Sequence, residues 1–192
     1  MFDIKAQWRT KDLRRYLDHL KAPRLNQALS KATNDTARQV EKVAERIVAS
    51  RLSLEAKRVR KGIYIRPAST PKTLTATIRG STSEVPLKVF RAKEVPGGTV
   101  ATIWGAKQFH PDAFIKGGIF GKKRVDIGMG GHVFVRKGAP RLPIKKAKGA
   151  SIGEAMNEGA VSVAIERNAD KMLAANVLRQ LDRYTRKARG AF

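Results

Sequence analysis

The chain has no cysteine. Disulfides and thiolate chemistry are therefore excluded, and synthesis in a reducing, intracellular setting is natural. Aromatic residues make up only 6% of it, which leaves a core built mainly from Ala, Val, Leu and Ile. No apolar run approaches the roughly 18 residues that a spanning helix requires. The opening MFDIKAQWRTKDLRRYL lacks an uninterrupted apolar h-region, so a soluble protein without a secretory address is expected. The sharpest shortage is of acid: 16 Asp and Glu stand against 40 Lys and Arg, a formal net charge of +24. Such a chain repels copies of itself unless a polyanion, counterions or an acidic partner intervenes.

Groups that carry chemistry are equally sparse. His19, His110 and His132 fall in separate segments, with no HxxxH or HExxH spacing to set two metal ligands on one helix face. GGIFGKK at 117–123 invites a phosphate-loop reading, but Lys116 replaces the glycine required five positions before Gly121. Lys123 stands where Ser or Thr should hold magnesium, so a flexible basic loop is the better account. Asp35, Glu41 and Glu45 lie three or four residues from Lys or Arg, as surface pairs on a helix do. Local spacing assembles neither paired carboxylates nor a Ser-His-Asp set. The expectation is no catalytic residue, no cofactor and no metal; magnesium-dependent cleavage of nucleic acid by the pure protein would revive an enzyme reading.

What is present points to α+β architecture. With 192 residues, 42% of them apolar, the chain suits one domain with extensions. TKDLRRYLDHLK at 10–21 has the spacing of a short amphipathic helix. After Pro23, the positions Leu25, Ala28, Leu29, Ala32, Thr36, Val40, Val43, Ala44, Ile47 and Val48 share one face of a longer helix ending near Ser50, a rod on the order of 35 Å. SLEAKRVRK at 53–61 predicts one or two further turns, with Ser53 as N-cap. GIYIRPA (62–68), TLTATIRG (73–80), PLKVF (86–90) and GTVATIWG (98–105) alternate like strands between turn clusters, and they read as one antiparallel sheet. Residues 106–131 have no sustained period and read as a long loop or extended basic arm interrupted by short strand-like pieces, with Phe114, Ile115 and Phe120 as its candidate contact residues.

VFVRKGAPRLPI at 133–144 reads as a sheet hairpin, with Val133, Val135, Leu142 and Ile144 packed on one face. Ser151, three residues before Glu154, is a capping-box pattern opening a long C-terminal helix to about Lys187, kinked near Gly159. The expected organisation is an N-terminal helical extension (1–22), a single α+β domain (23–187) and a frayed tail (188–192). In that domain the antiparallel sheet is packed by a long N-terminal and a long C-terminal helix.

Positive charge gathers in three patches. Arg51, Lys57, Arg58, Arg60, Lys61 and Arg66 form the first. Arg136, Lys137, Arg141, Lys145, Lys146 and Lys148 form the second, and Arg179, Arg183, Arg186, Lys187 and Arg189 the third. Neutralising phosphate requires only cations held along a surface. Few aromatics lie near these patches, which argues against stacking on single strands.

TNDTARQVEKVAERIVASRLSLEAKRVRKGIYIRPAS, then TLTATIRGSTSEVPLKVF, then DAFI, then VFVRKGAPRLPI, and finally a helix opening GASIGEA together resemble the minor tail protein Z family of lambda-like phages and prophages. The resemblance runs from about Pro23 to Tyr184. Its most specific parts are Ile78, Gly80, Pro86 and Leu87, the piece Ala113-Phe114-Ile115, and the turn from Arg136 to Pro143. It implies a virion protein at the head-proximal end of the tail, without enzymatic activity and assembled in the host cytoplasm. It also implies a ring, commonly a hexamer, around the DNA path, with tail-terminator and neck or connector proteins as neighbours. On that view Arg58, Arg60, Lys61, Arg136, Lys137, Arg141, Lys145, Lys146, Lys148, Arg179, Arg183 and Arg186 face duplex DNA in the lumen, by charge alone, or a subunit boundary; no membrane is involved. The alternative from composition is a free, sequence-independent nucleic-acid-binding protein of ribosomal or nucleoid type.

Overall fold

The computed structural model describes residues 3–4, 24–138 and 140–189. Strand β1 (Asp3–Ile4) precedes the long helix α1 (Arg24–Leu52) and the short helix α2 (Ala56–Arg60). Strands β2 (Ile63–Ile65), β3 (Ile78–Gly80) and β4 (Glu84–Pro86) lead into a 3-10 turn at Leu87–Phe90. Strands β5 (Lys93–Val95), β6 (Gly98–Ile103) and β7 (Ala106–Pro111) form a meander. After a long irregular segment come β8 (Phe134–Arg136), β9 (Ile144–Lys146) and β10 (Lys148–Ser151). Helices α3 (Ile152–Asn157) and α4 (Gly159–Arg189) close the described chain. The expected helix at 10–21 and the end of the tail lie outside the described residues.

The α+β class holds, with a long helix on each side of the sequence and antiparallel strands between them. Helix α1 exists because its apolar and small residues recur every four positions: Ala32, Thr36, Val40, Ala44, Val48 and Leu52 are all essentially inaccessible. That ridge lies against α4, whose Val161, Ile165, Ala169 and Val177 are buried in turn, and pairs of such ridges are the usual basis of helix packing. The α1–α4 seam also carries a polar stretch. Asn176 donates to Thr36 Oγ1 (2.9 Å) and Gln39 Oε1 (3.0 Å), and Gln180 donates to Asp35 (2.9 Å). Asp35 is therefore bound across to α4, where Arg179 also lies 3.9 Å away, and not to a neighbour on its own helix as the spacing predicts. Glu41 sits close to Glu45, so burial and then that like charge raise its carboxyl above the usual range against the pull of Arg38 and Lys42.

The strands correct the sequence reading. They form four small antiparallel sheets, ordered β1-β3-β2, β10-β4, β5-β6-β7 and β8-β9, and not one. TLTATIRG contributes only its last three residues. PLKVF is a 3-10 turn because Leu87 and Phe90, three apart, both enter the core at 0% exposure, and a 3-10 helix eclipses such positions. The β6–β7 connection is two residues, Trp104 and Gly105, both at positive φ (58° and 75°), as a hairpin turn matched to the strand twist requires.

Helix boundaries follow cap chemistry. Ser53 does not cap α2; it takes φ 57° just past α1, where Ser53 N–H donates to Ser50 O (3.3 Å) and Leu54 N–H to Ala49 O (3.0 Å). That is a Schellman ending, and the position before α2 is Glu55. At Ser151 the expected capping box is complete: Glu154 N–H donates to Ser151 Oγ, and Ser151 N–H to the Glu154 carboxylate. The expected kink is a full break, because Glu158 is extended (ψ 129°) between α3 and α4.

Candidate functional site

The segment expected to be a long loop or extended arm with short strand-like pieces is partly strand and partly tethered. Residues 106–111 are β7, paired along their whole length with β6. Beyond them Phe114 and Phe134 exchange two backbone hydrogen bonds of 2.9 Å, and Gly117 and Val125 exchange two more (2.8 and 3.0 Å). The loop thus closes on itself and on β8. Its anchor is Glu94 on β5, which accepts the Ile115 N–H at 3.0 Å and the Arg124 guanidinium. Arg124 also donates to Lys116 O (2.6 Å) and Gly117 O (3.3 Å). Both side chains of this ion pair are about one-seventh exposed (16% and 14%), so removing either would leave a largely buried charge unpaired.

Hairpin β8–β9 forms as the alternation predicts, with Arg136 opposite Ile144 and Phe134 opposite Lys146. Phe114 packs on Phe134 with ring centroids 6.3 Å apart, and Arg136 lies over the Phe114 ring at 5.6 Å. Val133 is buried, but Leu142 is 67% exposed and does not join the packed face. Strand β9 begins only at Ile144, so Leu142 belongs to the turn. Loop, hairpin and the β5–β6 turn enclose a cleft of about 1340 Å³ whose lining includes Phe114, Arg124, Arg136, Lys137 and Arg141. Around it Ile119, Phe120, Val125, Met129 and Leu142 stand in solvent.

The three patches have different fates. Arg51 is committed to structure: it makes a two-point contact with Glu158 and lies 5.4 Å over the Trp104 ring. The Arg51 hydrogen bond holds the Glu158 carboxyl below its usual range. Arg179 donates to Asn176 Oδ1 at 2.8 Å within the α1–α4 seam; Arg183 is exposed on α4, and the Arg186 side chain lies outside the described residues. Lys148 approaches Glu84 (3.6 Å) across β10–β4. Arg58, Arg60, Lys61, Lys137, Arg141, Lys145 and Lys146 are exposed.

The fold joins parts of the first and second patches through two residues that the charge pattern did not single out, Lys88 and His132. Leu87 N–H donates to Ala147 O (3.0 Å) and Ala147 N–H to Val133 O (2.9 Å), with Leu87 and Val133 fully buried. Each neighbour of this backbone chain, namely Lys88, Lys146 and His132, is therefore brought to the same edge. The Lys88 ammonium donates to Gly130 O beside His132. Removal from water lowers the proton affinity of His132, followed by the charges of Lys146, Lys88 and Arg58. Its Nδ1 is inaccessible and has no hydrogen-bond partner. No sequence spacing could have shown this, because the four residues come from positions 58, 88, 132 and 146.

Among the described residues no three His, Asp or Glu gather as a metal site, and no helix is long and apolar enough to cross a membrane. The family model for prophage minor tail protein Z matches residues 11–187. The chain belongs to the prophage minor tail protein Z family. The match extends beyond the resembling segments toward the N-terminus, through the expected first helix. As a member of that family, the molecule is a structural protein of a phage tail and so of the virion. No curated protein and no solved structure matches the chain.

Proposed function

We propose that this minor tail protein Z is a tail-completion subunit that closes into a ring at the head-proximal end of the tail, with its cationic surface turned toward the DNA path. The observation that carries this reading is the loop–hairpin surface. Among the described residues, five of the nine exposed large hydrophobics, Ile119, Phe120, Val125, Met129 and Leu142, stand on it, beside the cations Lys137 and Arg141. An apolar cluster rimmed by charge marks a protein contact. A contact between unlike surfaces of identical subunits repeats from copy to copy and forms a ring when its rotation closes. Closure by a small number of copies, six in the hexameric case, would set the cations of each subunit around one axis, where duplex DNA relieves their repulsion. Tail-terminator and connector proteins are the proposed neighbours above and below, and assembly takes place in the host cytoplasm.

The experiment is a mass measurement of the purified protein together with cryo-microscopy of the tail end, for the native chain and for Ile119→Ser/Phe120→Ser/Leu142→Ser. A closed ring is expected from the native chain, and dissociated but folded subunits from the variant. Monomers alone in both measurements on the native chain would exclude the ring. Nanomolar duplex binding by a protein that never self-associates would instead favour a free nucleic-acid-binding protein.

A further inference from the structure

The edge formed by Arg58, Lys88, His132 and Lys146 holds three cations with no carboxylate among the charges that bear on the imidazole. Ion pairs elsewhere on the surface, such as Arg51–Glu158 and Lys148–Glu84, show that this chain does place acids beside bases when the contact is internal. Here α2, the 3-10 turn and β9 bring Arg58, Lys88 and Lys146 to bear on the imidazole. Lys88 is held in place by Gly130 O, and Gly131 behind it takes φ 67°, with the Lys88 Nζ 3.7 Å from where its Cβ would lie. A bulkier residue there would be strained by that positive φ. Arg60 and Lys61, exposed like Arg58, add further cations at the end of α2.

We propose that Arg58, Lys88, His132 and Lys146 form a clasp for one phosphodiester group of duplex DNA. This rests on the reading of the cationic surface as DNA-facing and names where the backbone is held. A phosphodiester carries one negative charge and accepts hydrogen bonds at two non-bridging oxygens, so it offsets the repulsion among the cations and accepts from their N–H groups. A phosphate anion beside the ring also favours protonated His132, opposing the desolvation and the cationic charges that lower its proton affinity in the free protein. Binding then takes up a proton from solvent, and affinity rises as pH falls through the range between the free and bound proton affinities of His132, by up to about tenfold per pH unit.

The test is salt-dependent binding of a random-sequence duplex by the full chain between pH 5.5 and pH 8. Lys88→Ser/Lys146→Ser should lower the log–log salt slope by about 1 unit, the share of one phosphate. Arg58→Ser, whose side chain makes no hydrogen bond among those described, should lower it too and serves if the double variant is unstable. His132→Gln should keep the slope at pH 8 and lose the rise in affinity at pH 5.5, whereas His110→Gln should keep both. Unfolding midpoints measured in parallel separate a binding loss from a folding loss. An unchanged slope in the lysine and arginine variants, or an unchanged pH profile in His132→Gln, would overturn the clasp and leave the DNA-facing surface standing. Failure of the native chain to bind the duplex at any salt, with binding of poly-glutamate instead, would overturn both and assign the edge to an acidic protein.

Discussion

Gly80 shows how much can depend on a missing methyl group. A Cβ at that position would lie 2.7 Å from Met156 Sδ and 2.8 Å from Gly153 Cα. On α3, a Cβ at Gly153 would in turn lie 3.0 Å from Gly80 O and 3.1 Å from Ser81 O, and the Gly153 N–H donates to Ser81 O at 2.8 Å. Two glycines thus let the backbone of α3 rest directly on the end of β3. Gly80→Ala must separate them, and overpacking of this kind costs about 1–3 kcal/mol. A matching fall in the urea midpoint is expected, and an unchanged midpoint would show that the helix slides freely. The glycine was visible in the sequence as part of the Ile78-x-Gly80 pattern, but its partner, 73 positions away, was not. His132 makes the same point: in the sequence it is a lone histidine, and only packing beside Lys88 and Lys146 turns it into a titrating group in a positive field.

At the scale of elements, two serines followed by glutamate met different ends for a reason of spacing. Ser151 has Glu154 three residues on and builds both bonds of a capping box. Ser53 has Glu55 only two residues on, cannot form the reciprocal pair, and instead closes α1 in the left-handed region. Ser151→Ala should therefore cost about 1 kcal/mol, read as a lower unfolding midpoint with the fold retained; no change would mean that Glu154 alone supports the helix start. The two long helices were legible because a four-residue repeat persists from Ala32 to Leu52 in α1 and over much of α4. The short strands were not. LKVF at 87–90 satisfies alternation through Leu87 and Val89, and a three-residue repeat through Leu87 and Phe90. The choice fell to the core, which buries Leu87 and Phe90 at 0% exposure and leaves Val89 at its edge.

For the whole molecule, the governing quantity is charge. Forty basic residues against sixteen acidic ones leave repulsion that internal ion pairs do not cancel, and the fold responds by committing a few cations to structure and exposing the rest. Arg51, Arg124 and Arg179 are committed, each bound to an acid on another element. Changing Arg136, Lys137 and Arg141 together to Ser should leave the fold intact, because the cation–π contact of Arg136 with Phe114 is of order 1 kcal/mol at an exposed site. Yields of infectious particles should nevertheless fall. Normal yields with native-like circular dichroism would count directly against a role for the hairpin in assembly.

The sequence by itself determined the helices, the hairpin at 133–144, the absence of thiol chemistry and the cationic character, since each depends on composition or on neighbours within a few positions. The extent of the arm, the division of the strands into four sheets, the residues that carry unneutralised charge and the meeting of Arg58, Lys88, His132 and Lys146 were decided only by tertiary structure. Each depends on which distant segments share a core or an edge. Local period and charge count do not encode that choice, because burial and backbone pairing across dozens of residues set it.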